Sequence, residues 1–215
     1  MMVLPRSRDF DALTARYDAW FERHRAAYLS ELKALRALLP ERPFLGLEVG
    51  VGTGRFASAL GVQVGVDPAW NCLKLAKGRG VQAVMAIGEE LPFRDGRFDL
   101  VLMVVAFCFF SDPRKALSEA RRVLRPGGLL LLGMIDRESS LGQLYIRKKL
   151  EGRPFYRDAD FYTPAEVISM LSEEGFRVIR VLQTISGPPG DMREVEEPSE
   201  GFGQGAFVAI SALRP

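Results

Sequence analysis

FLGLEVGVGTGRFASAL, Phe44 to Leu60, decides the fold. A short apolar run (Phe44, Leu45, Leu47, Val49) carries one acid, Glu48, and ends at Gly50, Gly52 and Gly54. Small and polar residues then follow at helical spacing, so strand, glycine turn and helix is the simplest reading. Glycines at alternate positions let the backbone take positive φ and leave room where side chains would block a ligand. The free N–H groups and positive dipole end of the following helix face the same point. A ligand-holding turn is expected, with a plain tight loop as the alternative.

Two ligand classes compete for such a turn. In the dinucleotide fingerprint G-x-G-x-x-G the third glycine allows close helix–strand packing. Counted from Gly50, that position is Arg55, so the fingerprint fails. The pattern Glu48-x-Gly50-x-Gly52-x-Gly54 instead resembles the first motif of the class I S-adenosylmethionine-dependent methyltransferases. That cofactor has no phosphate. It brings a sulfonium and an α-ammonium, which a carboxylate such as Glu48 can balance.

The chain has 215 residues, 47% hydrophobic and 26% charged, which suits one soluble globular domain. A net charge of +2 offers no global field for nucleic acid or membrane. Cys72 and Cys108 lack metal-ligand spacing and fit a reduced, cytoplasmic setting rather than a disulfide framework. MMVLPRSRDF lacks the apolar core of a signal peptide. The most apolar stretch, Phe98 to Phe110, includes Asp99 and is too short to span a bilayer.

From Phe10 to Leu39 apolar residues recur at 10, 13, 17, 20, 21, 28, 32, 35, 38 and 39, a helical stripe in one helix or two. The resemblance implies a Tyr-Asp pair here, so Tyr17, Asp18 and Trp20 either lie over the ligand as a lid or simply pack on the sheet. His24, the lone histidine at the stripe's edge, reads as structural more readily than as a base. Val62 to Val66 is a second strand ending in Asp67-Pro68. An acid 17 positions after Gly50 suits a carboxylate accepting hydrogen bonds from ribose hydroxyls. Its alternative role is capping a helix from Trp70 to Lys77.

Val81 to Met85 is a third strand. Glu89 to Phe93, an Asp-Gly turn and Phe98-Asp99-Leu100-Val101 then resemble a group that includes the ubiquinone/menaquinone C-methyltransferases and many small-molecule enzymes. The group commonly has Asp where this chain has Ile87, so adenine would be held by backbone near Gly88 and by apolar contact, with Glu89 alongside. Phe98 to Phe110 reads as a buried central strand, with Val104 in its Met103-Val104-Val105 end beside the sulfonium. Cys108 stands where the group often has histidine and reads as a small hydrophobe. A helix from Asp112 to Leu124, the turn Pro126-Gly127-Gly128 and a strand from Leu129 to Ile135 match the group's post-motif.

Arg137 to Phe161 interleaves basic and aromatic residues, which suit stacking on bases, covering an active site, or a solvated helix with its aromatics turned inward. Thr163 to Glu166 predicts a capping box, and strands follow over 176–184 and 205–213. The acidic Pro/Gly-rich stretch between them reads as a long surface loop, which the resemblance implies flanks the substrate mouth.

The expected fold is α/β, a Rossmann-like doubly wound sheet of seven strands, mostly parallel with the last antiparallel. Residues 1–215 form one domain, with 1–40 as a helical lid and 137–162 as an insertion near the substrate. The expected activity is methyl transfer from S-adenosyl-L-methionine to a small molecule, leaving S-adenosyl-L-homocysteine. Cofactor positions are Tyr17, Glu48, Gly50, Gly52, Asp67, Pro68, Ile87, Gly88, Glu89 and Val104. No catalytic residue or metal ligand stands out, and monomer or dimer stays open. An NAD(P) oxidoreductase is opposed by Arg55. An RNA methyltransferase is opposed by VVAF at 104–107, where a base-holding Asn/Asp-Pro-Pro-Tyr motif would stand.

Overall fold

The computed structural model describes residues 5–215. The N-terminal stripe forms three helices, α1 (Arg8–Ala12), α2 (Thr14–Arg23) and α3 (Arg25–Arg36), rather than one or two. Leu13 and His24 leave helical geometry between them. Each break redirects the axis, so Phe21, Leu32 and Leu35 reach the same core cluster.

Alternation then sets in: β1 (Gly46–Val49), α4 (Arg55–Leu60), β2 (Val64–Asp67), α5 (Trp70–Gly78), β3 (Gln82–Met85), β4 (Phe98–Val104), α6 (Pro113–Val123) and β5 (Leu124–Ile135). Next come α7 (Ser140–Leu150), α8 (Pro164–Glu173), β6 (Arg177–Thr184), β7 (Ser199–Glu200) and β8 (Phe207–Leu213). The strand order is β3-β2-β1-β4-β5-β8-β6-β7. β1 to β5 are parallel, and β8 runs antiparallel between β5 and β6. Seven strands were expected and eight are present among the described residues. The extra one, β7, is two residues of the acidic loop paired with Leu182 and Gln183.

Alternate residues of β4 enter opposite layers, as a two-residue period requires: Leu100, Leu102 and Val104 on one side, Val101 and Met103 on the other. Both faces are covered, which explains the unbroken apolar run. That run is not all strand. β4 stops at Val104 because Val105 turns to φ 51°, and 107–109 form a 3-10 turn. Phe107 and Phe110 are still buried, so the turn's hydrophobicity mimics a strand.

The Pro126-Gly127-Gly128 stretch lies inside β5 as a bulge. Pairing jumps from Phe98–Leu124 to Leu100–Leu129, and Gly127 takes φ 74°. α8 opens with the expected capping box: Glu166 N–H donates to Thr163 Oγ1 at 3.2 Å, and Thr163 N–H to Glu166 Oε2 at 2.8 Å. Strand order reverses between β1 and β4, and in such sheets ligands sit outside the carboxyl ends at that point.

Candidate active site

Gly50, Gly52 and Gly54 have φ of 76°, 50° and 79°, a region costly to residues with a Cβ. Each also meets a different neighbour. A Cβ on Gly50 would stand 2.4 Å from that of Ala106, and one on Gly54 2.9 Å from the Cα of Ala76. One on Gly52 would stand 3.3 Å from the Tyr17 ring. Gly54 therefore provides the close helix packing that the dinucleotide fingerprint assigns one position later. The turn is held down by N–H donation from Gly50 and Val51 to the Val66 carbonyl, both at 2.9 Å.

Asp67, half-buried at the tip of β2, accepts N–H bonds from Gly52 and Ala69, both at 2.8 Å. Desolvation pushes its carboxyl up to about 6, against the pull of those bonds. It does not cap α5. Asp11 of α1 reaches across to accept the Asn71 N–H at 2.7 Å. Glu48 is 1% exposed, and burial drives its carboxyl well above the carboxylate range. One oxygen takes the Ala57 N–H, while Oε2 has no partner.

Glu48, Gly50, Gly52, Asp67 and Pro68 thus gather at the tips of β1 and β2, with Tyr17 lying on Gly52. Ile87, Gly88 and Glu89 lie in the loop after β3, where a Cβ on Gly88 would meet the Phe110 ring at 2.7 Å and Val49 at 3.0 Å. Glu89 uses Oε1 to accept N–H bonds from Ser111 (2.6 Å) and Asp112 (3.3 Å). Its carboxylate is engaged by the loop leading into α6. Val104 is the buried tip of β4, opposite Gly133 of β5.

Arg55, the residue that breaks the fingerprint, belongs to a clamp. Its Nε and Nη2 donate to Asp18 at 3.0 and 2.7 Å, and Nη1 donates to Glu22. Asp18 also accepts the Thr53 hydroxyl at 2.7 Å and Arg79 Nη2 at 2.9 Å. Burial alone would raise the Asp18 carboxyl, but Arg55, then Thr53 and Arg79, hold it well below the usual carboxylate range. α2 is thereby fixed to the glycine turn, α4 and the end of α5.

Beside the turn, past Val105 and the β5 end from Gly133 to Ile135, lies a cavity of about 590 Å³. Its walls are aromatic. Phe10 packs against Tyr17, Phe109 and Phe155 at centroid distances of 5.1, 4.9 and 5.1 Å. Tyr145 and Tyr156 pack at 4.7 Å, with the Lys148 ammonium 5.2 and 4.8 Å from their centroids. The aromatics of 137–161 turn inward and their cations stand at the rim. Of the cofactor positions expected from sequence, only Tyr17 lines this space.

Cys108 and His24 line it too. Burial pushes the Cys108 thiol up to about 12, so it stays protonated at neutral pH. Burial lowers the His24 pKa and keeps the ring neutral, with Nδ1 unpartnered. Sequence reasoning missed Glu31, which also faces the cavity. The signal was an acid inside an apolar stripe, four residues from both Ala27 and Leu35.

A family model described as "Methyltransferase domain" matches residues 47–132. A Thermotoga maritima protein of known crystal structure is 41% identical, with a TM-score of 0.93 over 98% of this chain and 100% of that one. It is described as an S-adenosylmethionine-dependent methyltransferase, possible histamine N-methyltransferase. An uncharacterised Methanocaldococcus jannaschii protein is 44% identical over 94% of this chain and 97% of its own length. An uncharacterised Mycobacterium tuberculosis protein is 43% identical over 93% and 71%. The chain belongs to the class I S-adenosylmethionine-dependent methyltransferases, and S-adenosylmethionine is its cofactor.

The residues present fit that cofactor on two counts. Glu48 keeps an orphaned buried oxygen, suited to a cationic group, and Gly52, at φ 50°, has no side chain to crowd the Tyr17 ring that lies on the turn. The Arg55 guanidinium is committed to Asp18 and Glu22.

Proposed function

We propose that the chain methylates a small molecule held in the aromatic cavity. The observation that carries this is placement: the cavity opens against the ends of β4 and β5, beside the glycine turn. In this reading Glu48 balances the cofactor's amino-acid end, Gly50 and Gly52 allow close backbone approach, and Asp67 with Pro68 takes the ribose. Ile87, Gly88 and Glu89 border the adenine, and Val104 lies near the sulfonium. Tyr17 covers the turn. When bound, the cofactor supplies a methyl group already activated on a positive sulfur.

The chain's own contribution is alignment and exclusion of water. Holding two reactants in line can supply roughly 7–11 kcal/mol of the barrier. The roof that does so joins residues 1–40, described from residue 5, to 137–162. Asp9 accepts hydrogen bonds from the Phe155 N–H at 3.1 Å and from Arg157, and Arg6 pairs with Asp160 at 2.8 Å. We read both segments as the lid of the substrate site. The acceptor chemistry follows the small-molecule group that includes the ubiquinone/menaquinone C-methyltransferases, or an amine of the sort suggested for the Thermotoga protein. Free Cys72 and Cys108 support a cytoplasmic enzyme, and no described helix is long and apolar enough to cross a membrane.

Calorimetry with S-adenosylmethionine, S-adenosylhomocysteine and NADH tests the assignment. The first two are expected to bind and NADH is not. Asp67→Ala should weaken both by about tenfold to a hundredfold, the worth of one or two lost charge-assisted hydrogen bonds. Unchanged affinity in that variant removes Asp67 from the ribose.

A further inference from the structure

The aromatic cavity contains one acid that the chain leaves unserved. Glu31 is 3% exposed, lies on the buried face of α3, and lines the cavity. Among the described residues it has no hydrogen bond and no ion pair. Lys33 two positions on pairs with Glu197, and the basic residues of the cavity, Lys148 among them, do not pair with it. The groups that feel its charge are Tyr17, Tyr28 and Tyr145 from α2, α3 and α7, all phenols. Burial alone raises its carboxyl to about 8.

A carboxylate buried without a partner is expensive, and the group keeps its proton unless a cation or a donor meets it. Water serves poorly in a wall of phenyl and phenol rings. The same rings present negative faces to a positive charge, and Lys148 already shows them doing so at the rim. A cation with an apolar body satisfies both demands. Resting on the reading of this cavity as the acceptor site, we propose that Glu31 is the anchor for the acceptor, a protonated amine carried on an aromatic or apolar body. The rings enclose the body and the carboxylate fixes the nitrogen.

Three probes of one shape test this on the full chain with S-adenosylhomocysteine present: 2-phenylethylamine, 2-phenylethanol and 3-phenylpropionate, titrated calorimetrically at neutral pH. The amine should bind about tenfold or more tighter than the alcohol, and Glu31→Gln should erase that margin. Affinity for S-adenosylhomocysteine should not change in the variant. Equal binding of amine and alcohol overturns the proposal. So does amine binding indifferent to Glu31→Gln, or a preference for 3-phenylpropionate that falls in Lys148→Met. Should Glu31→Gln lose S-adenosylhomocysteine as well, the unaltered chain decides. Benzyltrimethylammonium, a fixed cation, must then compete with the amine, and failure to compete overturns the proposal. Amine binding that depends on Glu31 in a chain that ignores S-adenosylhomocysteine would sink the methyltransferase reading alone.

Discussion

Asp18 and Glu31 stand on α2 and α3 under one roof, and the chain treats their carboxylates in opposite ways. Asp18 accepts from Thr53, Arg55 and Arg79, with one guanidinium arriving from α4 and the other from the residue that follows α5. Glu31 is the more deeply buried and receives nothing. The first is what an acid looks like when folding uses it. The second is an acid that folding tolerates, and its unmet demand points outward to a ligand. Glu48, with one oxygen held and one orphaned, lies between these extremes.

The contrast breaks most visibly at Glu31. With its folded value raised from 4.5 to about 8, the folded state keeps a proton that the unfolded chain releases, so stability falls as pH rises through that window. Glu31→Gln should be more stable than the parent by about 5 kcal/mol at pH above 8, with the gap closing toward pH 4. Urea unfolding across pH measures it, and equal midpoints at alkaline pH would contradict an unpaired Glu31. Asp18 should behave in reverse. Asp18→Ala strands two partly buried guanidinium groups and should cost about 2–3 kcal/mol. Because its carboxyl is depressed when folded, that contribution is fully present above about pH 4 and fades as pH falls further. A loss that persisted unchanged in acid would assign the effect to packing instead. The smallest change sharpens the comparison as a control: Thr163→Ala, at the α8 cap, should cost about 1 kcal/mol and leave every ligand affinity alone.

Much of the fold can be read from local chemistry. Glu48 to Gly54 names a strand, a turn and a helix, and Thr163 to Glu166 writes a capping box in four letters. β4 was overread because hydrophobicity reports burial, and Phe107 and Phe110 are buried from a turn. β7 has no signature, being Ser199 and Glu200 in a polar loop. The acids at the strand tips were found because the glycine turn directs attention to them. Arg55 was legible only as an exclusion, since its partner Asp18 lies 37 positions upstream. The sequence offers 1–40 and 137–162 as segments near the substrate but not the walls they build, because Phe10 meets Phe155 only once the sheet is assembled. Glu31 was visible as a misplaced charge, but a helical stripe does not say whether its acid faces solvent or a hollow.

The helix α2 has a consequence for traffic through the enzyme. It forms the ceiling of the hollow through Tyr17 and Trp20, and the same helix is latched to the glycine turn through Asp18. Raising it would pull on the glycine turn through Asp18. One helix thus carries both contacts, so a shift of α2 would be felt by the hollow and by the turn together.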